Sequence, residues 1–289
     1  MESLACLNGE LMPADQARVP IWDRGFLFGD AVYEVMRIYQ GRCWLEDAHM
    51  ARLRRSLAEL AFPAVDLEVL LARTHRTIVN SEIQEGTVYI HLTRGVAPRT
   101  HAFPDPPVAP TELIVVRQFD DTPVARLRET GVQVISRPDE RWGRCDIKTT
   151  NLLANVVAFD TAKRAGKFEA ILVGPDGFVT EATHTSVLWI RGGCLQGTPE
   201  GPNILPGTSR HFLMRLAQEH GIPYADTKVT LEELIGADEV LLAGTTTEVI
   251  AITQIDGKTI GDGTPGPLVG RLQPLYREAV LNWLTPKSA

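Results

Sequence analysis

The stretch Arg141-Trp142-Gly143-Arg144-Cys145-Asp146-Ile147-Lys148-Thr149-Thr150-Asn151 follows an alternating apolar run at 132–136 and precedes a helical pattern over about 152–165, with Gly166 as its stop. Alternation that gives way to a 3.6-residue period is a strand-to-helix crossover, the unit from which α/β folds are assembled. Thr149, Thr150 and Asn151 are candidate N-caps for that helix. Lys148 therefore stands just ahead of a helix start, with Arg141 and Arg144 nearby in sequence. The positive end of the helix and both guanidinium groups favour its neutral amine, which is the form a Schiff-base nucleophile needs. Taken by itself, a lysine in such a place is more often a solvated surface charge.

Outward from this stretch the chain alternates strands and helices in both directions. Upstream, Asn8-Gly9 between short apolar runs marks a hairpin. An alternating strand at 31–39 turns at Gln40-Gly41 toward a helix over about 47–60, which ends before Pro63; a second helix spans about 66–83. Strands at 86–94 and 111–118 flank a turn-rich loop, 94–104, and the polar 119–123 reads as a linker. Downstream lie a strand at 168–173, the turn Pro175-Asp176-Gly177, and a helix that opens in 203–210 and stops at Gly221. A strand at 239–243 and an amphipathic helix over 267–284 close the chain. The organisation expected is α/β, with an N-terminal domain 1–118, a linker 119–125 and a C-terminal domain 126–289.

Composition narrows the function. A chain of 289 residues with 44% hydrophobic side chains buries a sizeable core, and a net charge of −7 without a long basic run argues against a nucleic-acid partner. No window is long and apolar enough for a membrane span, and the start lacks a signal-peptide pattern, so a cytoplasmic address is expected. Cys6, Cys43, Cys145 and Cys194 are scattered, with no CxxC pair and no metal-ligand spacing, so reduced thiols and no metal are expected.

The run Arg-Trp-x-Arg-Cys-Asp-Ile-Lys resembles the cofactor-lysine segment of the fold type IV pyridoxal phosphate enzymes, and 24–34, Arg-Gly-Phe-x-Phe-Gly-Asp-x-Val-Tyr-Glu, resembles their N-terminal signature. The resemblance implies a two-domain fold with a smaller N-terminal α/β domain and a larger C-terminal pseudo-barrel, and pyridoxal 5'-phosphate held by Lys148. It places Glu181 at the pyridine nitrogen, where an anion keeps the ring protonated and electron-withdrawing. Arg52 of His49-x-x-Arg52-Leu53, the helix start Gly207-Thr208-Ser209 and Thr245 are expected at the phosphate, with Leu205 stacked on the ring. A helix N-terminus is by its own chemistry an anion seat, although Thr and Ser are also ordinary caps.

On the substrate side the resemblance brings Tyr33 and Arg141. Arg99 and His101 are two apart, so in an extended loop they point the same way and make a carboxylate clamp. Arg-x-His in this loop resembles the D-amino acid aminotransferases in particular, and implies a ping-pong exchange between a D-amino acid, such as D-alanine or D-glutamate, and an α-keto acid such as pyruvate or 2-oxoglutarate. Branched-chain L-amino acid aminotransferases and aminodeoxychorismate lyases are the alternatives sharing the cofactor; a non-catalytic binding protein is the alternative from another class. Segment 183–186, Thr-His-Thr-Ser, departs from the small residues and asparagine usual after the glutamate, which leaves side-chain preference open. Members of the group are usually homodimers, and the same is expected here.

Overall fold

β1 (Leu4–Leu7) and β2 (Glu10–Pro13) form the hairpin expected at Asn8-Gly9. Both turn residues are left-handed, φ 50° and 90°, which a two-residue turn needs to match the twist of its strands. The computed structural model describes residues 3–285, which fall into two compact units: the chain to Asp120 together with Ile147–Asn151, and Asp121–Asp146 together with the chain from Leu152 onward.

In the first unit, α1 (Arg24–Phe28) has its first turn capped by the Asp23 carboxylate, and its five residues are too few to print a helical period. β3 (Ala31–Tyr39) and the short β4 (Arg42–Cys43) lead into α2 (Glu46–Glu59) and α3 (Leu67–Ser81). β5 (Gly86–Thr93) and β6 (Thr111–Gln118) complete an antiparallel sheet in the order β2-β1-β6-β5-β3-β4. Val32, Met36 and Ile38 on one face of β3 share a core with Leu53 of α2 and Leu70 of α3. Tyr33 and Val35 take the opposite face by the alternation of the strand. β4 pairs only with Ile38 and Tyr39, leaving the start of β3 with a free edge. Ile147–Asn151 fills it: Thr149 bridges to Val32, the Tyr33 N–H donates to the Lys148 carbonyl at 3.0 Å, and Ile147 is buried in the same core.

The second unit begins with α4 (Thr122–Thr130), which takes up most of the stretch expected as linker. Thr122-Pro123 has the composition of a turn, but proline is well placed in a first helical turn, where no N–H is needed. β7 (Val132–Pro138), α5 (Leu153–Arg164) and β8 (Glu169–Val173) form the expected crossover, and β7 and β8 pair in parallel. The N-cap of α5 is Leu152, without a side-chain bond, and none of the three expected caps serves; Thr149 Oγ1 instead accepts from the Asn151 N–H and Nδ2 within its own short segment. β9 (Val179–Ala182), β10 (Ser186–Arg191) and β11 (Cys194–Gly197) precede α6 (Thr208–Glu219), β12 (Tyr224–Asp226) and α7 (Leu231–Ile235). β13 (Glu239–Gly244), β14 (Glu248–Ile255), β15 (Lys258–Thr259) and α8 (Pro267–Leu284) end the chain. The mixed sheet runs β12-β11-β10-β13-β14-β7-β8-β9, with β15 on β14. Val134, Ile171, Trp189, Leu242 and Ile250 lie in its main core, and α5 packs Ala158 and Ala162 against Ala170 and Leu172.

Candidate functional site

Lys148 is positioned from three sides within the first unit. Its carbonyl accepts from β3, its N–H donates to Ser56 Oγ of α2 at 3.3 Å, and its Nζ lies 3.3 Å from the Tyr33 hydroxyl and 4.4 Å from the centre of that ring. Tyr33 packs on Tyr89 of β5, whose hydroxyl is 3.1 Å from His91 Nδ1. The buried side of α2 carries a polar stripe, His49, Arg52 and Ser56, at helical spacing. Arg52, expected at a phosphate, donates from Nε and Nη2 to the two oxygens of Glu34 at 2.7 and 2.8 Å, and His49 Nδ1 is 2.7 Å from the same carboxylate. Glu34 is fully buried. Burial by itself would raise its pKa, but the charges and hydrogen bonds of Arg52 and His49 outweigh burial and hold it well below the ordinary value. An ionised Glu34 only accepts, so the proton of His49 sits on Nδ1.

The 94–104 loop starts from a buried network. Asp23 accepts from Thr93 Oγ1 and Thr111 Oγ1, and Asp30 joins Arg24 to Arg94. Arg24 then donates to the carbonyls of Thr100 and Ala102, fixing the loop from beneath. Arg99 and His101 are exposed and meet one neighbour: the Arg99 guanidinium lies 5.3 Å from the Phe28 ring centre and the His101 ring 5.6 Å from it. Both side chains of the pair thus lie beside Phe28.

In the second unit Glu181 is buried on β9. Its Oε2 accepts from Arg141 Nη1 at 2.5 Å and its Oε1 from the Leu205 N–H at 3.0 Å. Arg141, expected on the substrate side, also donates to both oxygens of Asp139 and to the Asn203 carbonyl, so most of its donors hold Glu181 and Asp139. Burial opposes the charge of Arg141, yet the bonds from Asp139 and the charges of both carboxylates raise its pKa above that of a free guanidinium. Arg144 is likewise paired, with Asp146. Arg141 and Arg144 are thus each paired with carboxylates.

Two turns of the second unit offer donors to an anion. α6 begins at Gly207 with no side-chain cap bond, and Thr208 and Ser209 are buried at its first positions. A Cβ at Gly207 would come 2.8 Å from Ser186 Oγ, so the start of the helix lies against the start of β10. Ser186 pairs with Ala243, next to the 244–248 turn that holds Thr245, half-buried. The unusual 183–186 segment is organised by Glu169, which is fully buried. Glu169 accepts from the Ala170 N–H at 2.8 Å, Thr183 Oγ1 at 2.5 Å and Thr185 Oγ1 at 3.4 Å, and pairs with His184 Nδ1 at 2.6 Å. His184 is half exposed and stands edge-on to Phe159.

Sequence reasoning quoted Glu34 and His49 in their motifs without giving them a role, and did not single out Asp139 or Glu169. Glu34 left a readable signal, an acid at an inward position of an apolar alternation; Glu169 left none, since its partners are distant in sequence.

A chain with this fold and these turns belongs to the amino-transferase class IV family, whose model matches residues 31–255. Its relatives are more particular. A D-alanine aminotransferase of Bacillus licheniformis is 39% identical over 276 residues, 95% of this chain and 96% of that one, and one of Staphylococcus epidermidis is 38% identical over 275 residues with the same coverage. Among solved structures, the branched-chain amino acid aminotransferase of Escherichia coli superposes with a TM-score of 0.88, covering 99% of this chain and 95% of that one. At 23% identity that likeness shows the fold alone.

The class uses pyridoxal phosphate, and the residues present fit it. In the first unit a lysine amine stands over a tyrosine; in the second, taken by itself, a buried carboxylate is held by a guanidinium and Gly207 leaves a helix N-terminus uncapped by side chains. Nearby, the buried Thr247 Oγ1 has no hydrogen-bond partner among the described residues.

Proposed function

We propose that this protein is a transaminase that moves the amino group of D-amino acids, D-alanine and D-glutamate among them, to an α-keto acid such as 2-oxoglutarate or pyruvate in a ping-pong exchange. The observation that carries this reading is the Arg99/His101 pair gathered on Phe28 in a chain that is 39% identical to a D-alanine aminotransferase along nearly its whole length. When bound, pyridoxal phosphate withdraws electrons from the substrate Cα and acidifies its proton. Lys148 Nζ takes that proton as general base and returns it as general acid. The Tyr33 hydroxyl, 3.3 Å from Nζ, orients the amine. Glu181 is the anion for the ring nitrogen and Arg141 its holder, with the substrate side still assigned to Arg141 as well. Arg52, Gly207, Thr208, Ser209 and Thr245 are assigned to the phosphate, and Leu205 to the ring face.

The handedness follows from geometry. The proton leaves toward Lys148 and the nitrogen is fixed, so only carboxylate and side chain can exchange places. The side that carries the cationic clamp therefore decides which enantiomer reacts, and Arg99 and His101 are assigned that task.

A homodimer is part of the proposal. Leu153, Val156 and Val157 form an exposed apolar stripe on α5, 77%, 57% and 53% accessible, and such a stripe on a helix calls for a cover. The cytoplasmic address belongs to the proposal too, with cell fractionation as its check. Among the described residues no helix is long and apolar enough to cross a membrane.

The experiment is an absorption spectrum of loaded protein mixed with D-alanine and, separately, with L-leucine. Bleaching of the visible band with D-alanine alone, with a rise of the near-ultraviolet band of the aminated cofactor, is expected. A response to L-leucine alone would replace this reading by the branched-chain one, and pyruvate release from aminodeoxychorismate without an amino acceptor would replace it by the lyase.

A further inference from the structure

Arg141 meets two carboxylates, and so far only Glu181 has a task. Asp139 follows β7, where its N–H donates to the Val173 carbonyl of β8 at 2.8 Å. Its Oδ1 accepts from the Arg141 N–H at 3.1 Å and from Nε at 2.9 Å, and its Oδ2 accepts from Nη2 at 2.8 Å and from Thr180 Oγ1 at 2.7 Å. Nη1 of the same guanidinium goes to Glu181 Oε2 at 2.5 Å. One planar group thus joins the two carboxylates. The side chains of Asp139, Arg141 and Glu181 are only 9%, 6% and 7% exposed, so their charges act on each other with little screening.

The count of those charges decides what the site accepts. Burial alone would raise the pKa of Asp139, but the hydrogen bonds and charge of Arg141 outweigh it and hold the carboxyl below its ordinary value. Asp139 is therefore an anion at neutral pH, and a guanidinium keeps its proton throughout that range. Two carboxylates against one guanidinium leave a single negative charge out of water. The groups next along the chain do not cancel it: Arg144 is paired with Asp146, and the Cys145 thiol, pushed up to about 11 by burial, stays neutral. A buried charge left without a counter-charge is costly. Glu181 with Arg141 alone would be a neutral pair, with little pull on a cation. The second carboxylate changes the sign of the site and makes a cation its fitting occupant.

We propose that Asp139 is a positioning residue that sets the charge at the cofactor's ring nitrogen: by sharing Arg141 it leaves Glu181 the negative potential that holds that nitrogen protonated. This rests on pyridoxal phosphate as the cofactor and on Glu181 as the partner of its ring nitrogen. A protonated ring withdraws electrons more strongly than a neutral one, so Asp139 bears on the reaction through Arg141 and Glu181.

The test loads the protein with pyridoxal phosphate carrying nitrogen-15 in the ring and reads that nitrogen by NMR at neutral pH, with melting midpoints taken alongside. Asp139→Asn keeps the shape and removes the charge, Asp139→Ser is a second uncharged variant of smaller size, and Asp139→Glu restores the charge. Wild type and Asp139→Glu are expected at the resonance of a protonated ring, and both uncharged variants are expected to move toward the unprotonated one. Removal of the Cα proton of D-alanine, followed by stopped flow, should slow roughly tenfold in the uncharged variants, the order of one charge withdrawn from a partly screened site. Uncharged variants that melt lower while the ring resonance stays with wild type assign Asp139 to the fold and overturn the proposal, as do variants in which nothing changes. An Asp139→Glu protein that behaves like Asp139→Asn makes geometry rather than charge the cause, and overturns it too. Glu181→Gln that leaves the ring resonance unmoved would sink the assignment of Glu181 itself, a distinct outcome.

Discussion

Glu34 is a carboxylate with no access to water, and it is ionised because Arg52 and His49 share it. Glu34→Gln should cost about 3–5 kcal/mol in urea unfolding, because it leaves the Arg52 charge buried without its partner. The pH dependence has a definite sign. The folded pKa lies below the ordinary 4.5, so the contribution of Glu34 is complete above that value and erodes as pH falls toward the lowered folded pKa. The gap in unfolding free energy between wild type and Glu34→Gln is therefore expected to narrow from pH 6 to pH 3; a gap independent of pH would refute the account. Among the candidate residues, the surroundings of Lys148 and Glu181 were legible only in part: the strand and helix either side of Lys148 were read, while its contact with Tyr33 and the grip of Arg141 on Glu181 were not. The ion pairs of Arg141 were not legible, since which carboxylates meet an arginine is set by the fold, and Asp139 and Glu181 are invisible as its partners in a linear reading.

At the scale of elements, long periodic segments were the readable ones. β3, β6 and α8 have the bounds their patterns predict, because eight to eighteen residues of alternation or helical period outweigh local composition. α1 and α4 were not read: one is too short for a period and the other begins with a proline that resembles a break. The cap of α5 was misread because Thr149 and Asn151 spend their hydrogen bonds on each other. α5 also carries the prediction of this scale. Val157→Asp puts a charge in the middle of its exposed apolar stripe, while Ala158 and Ala162 on the packed side are untouched. It should shift the proposed dimer to monomer in sedimentation at micromolar concentration, with secondary structure retained. An unchanged dimer would show that this stripe is not the interface.

For the whole chain, the α/β class and the family were legible, and the return of Ile147–Asn151 to the first unit was not. A reading that cuts a sequence into consecutive pieces has no place for Ile147–Asn151, which belong with the chain before Asp121 although residues of the other unit flank them on both sides. The reason is an unfilled edge: β4 covers only the end of β3, and five residues from far along the chain supply the missing hydrogen bonds and one buried isoleucine. A fragment ending at Asp120 should consequently aggregate or give poorly dispersed amide resonances. Supplying residues 141–156 as a peptide should improve the spectrum if that edge is the cause.

The same excursion bears on how such a protein can change through time. A gene junction placed at the apparent boundary near residue 120 would strip the first unit of the strand segment that carries the lysine. Neither unit is a cassette that recombination could lend to another protein with its chemistry intact, so diversification within this architecture has to proceed by substitution in loops such as 94–104 and 183–186.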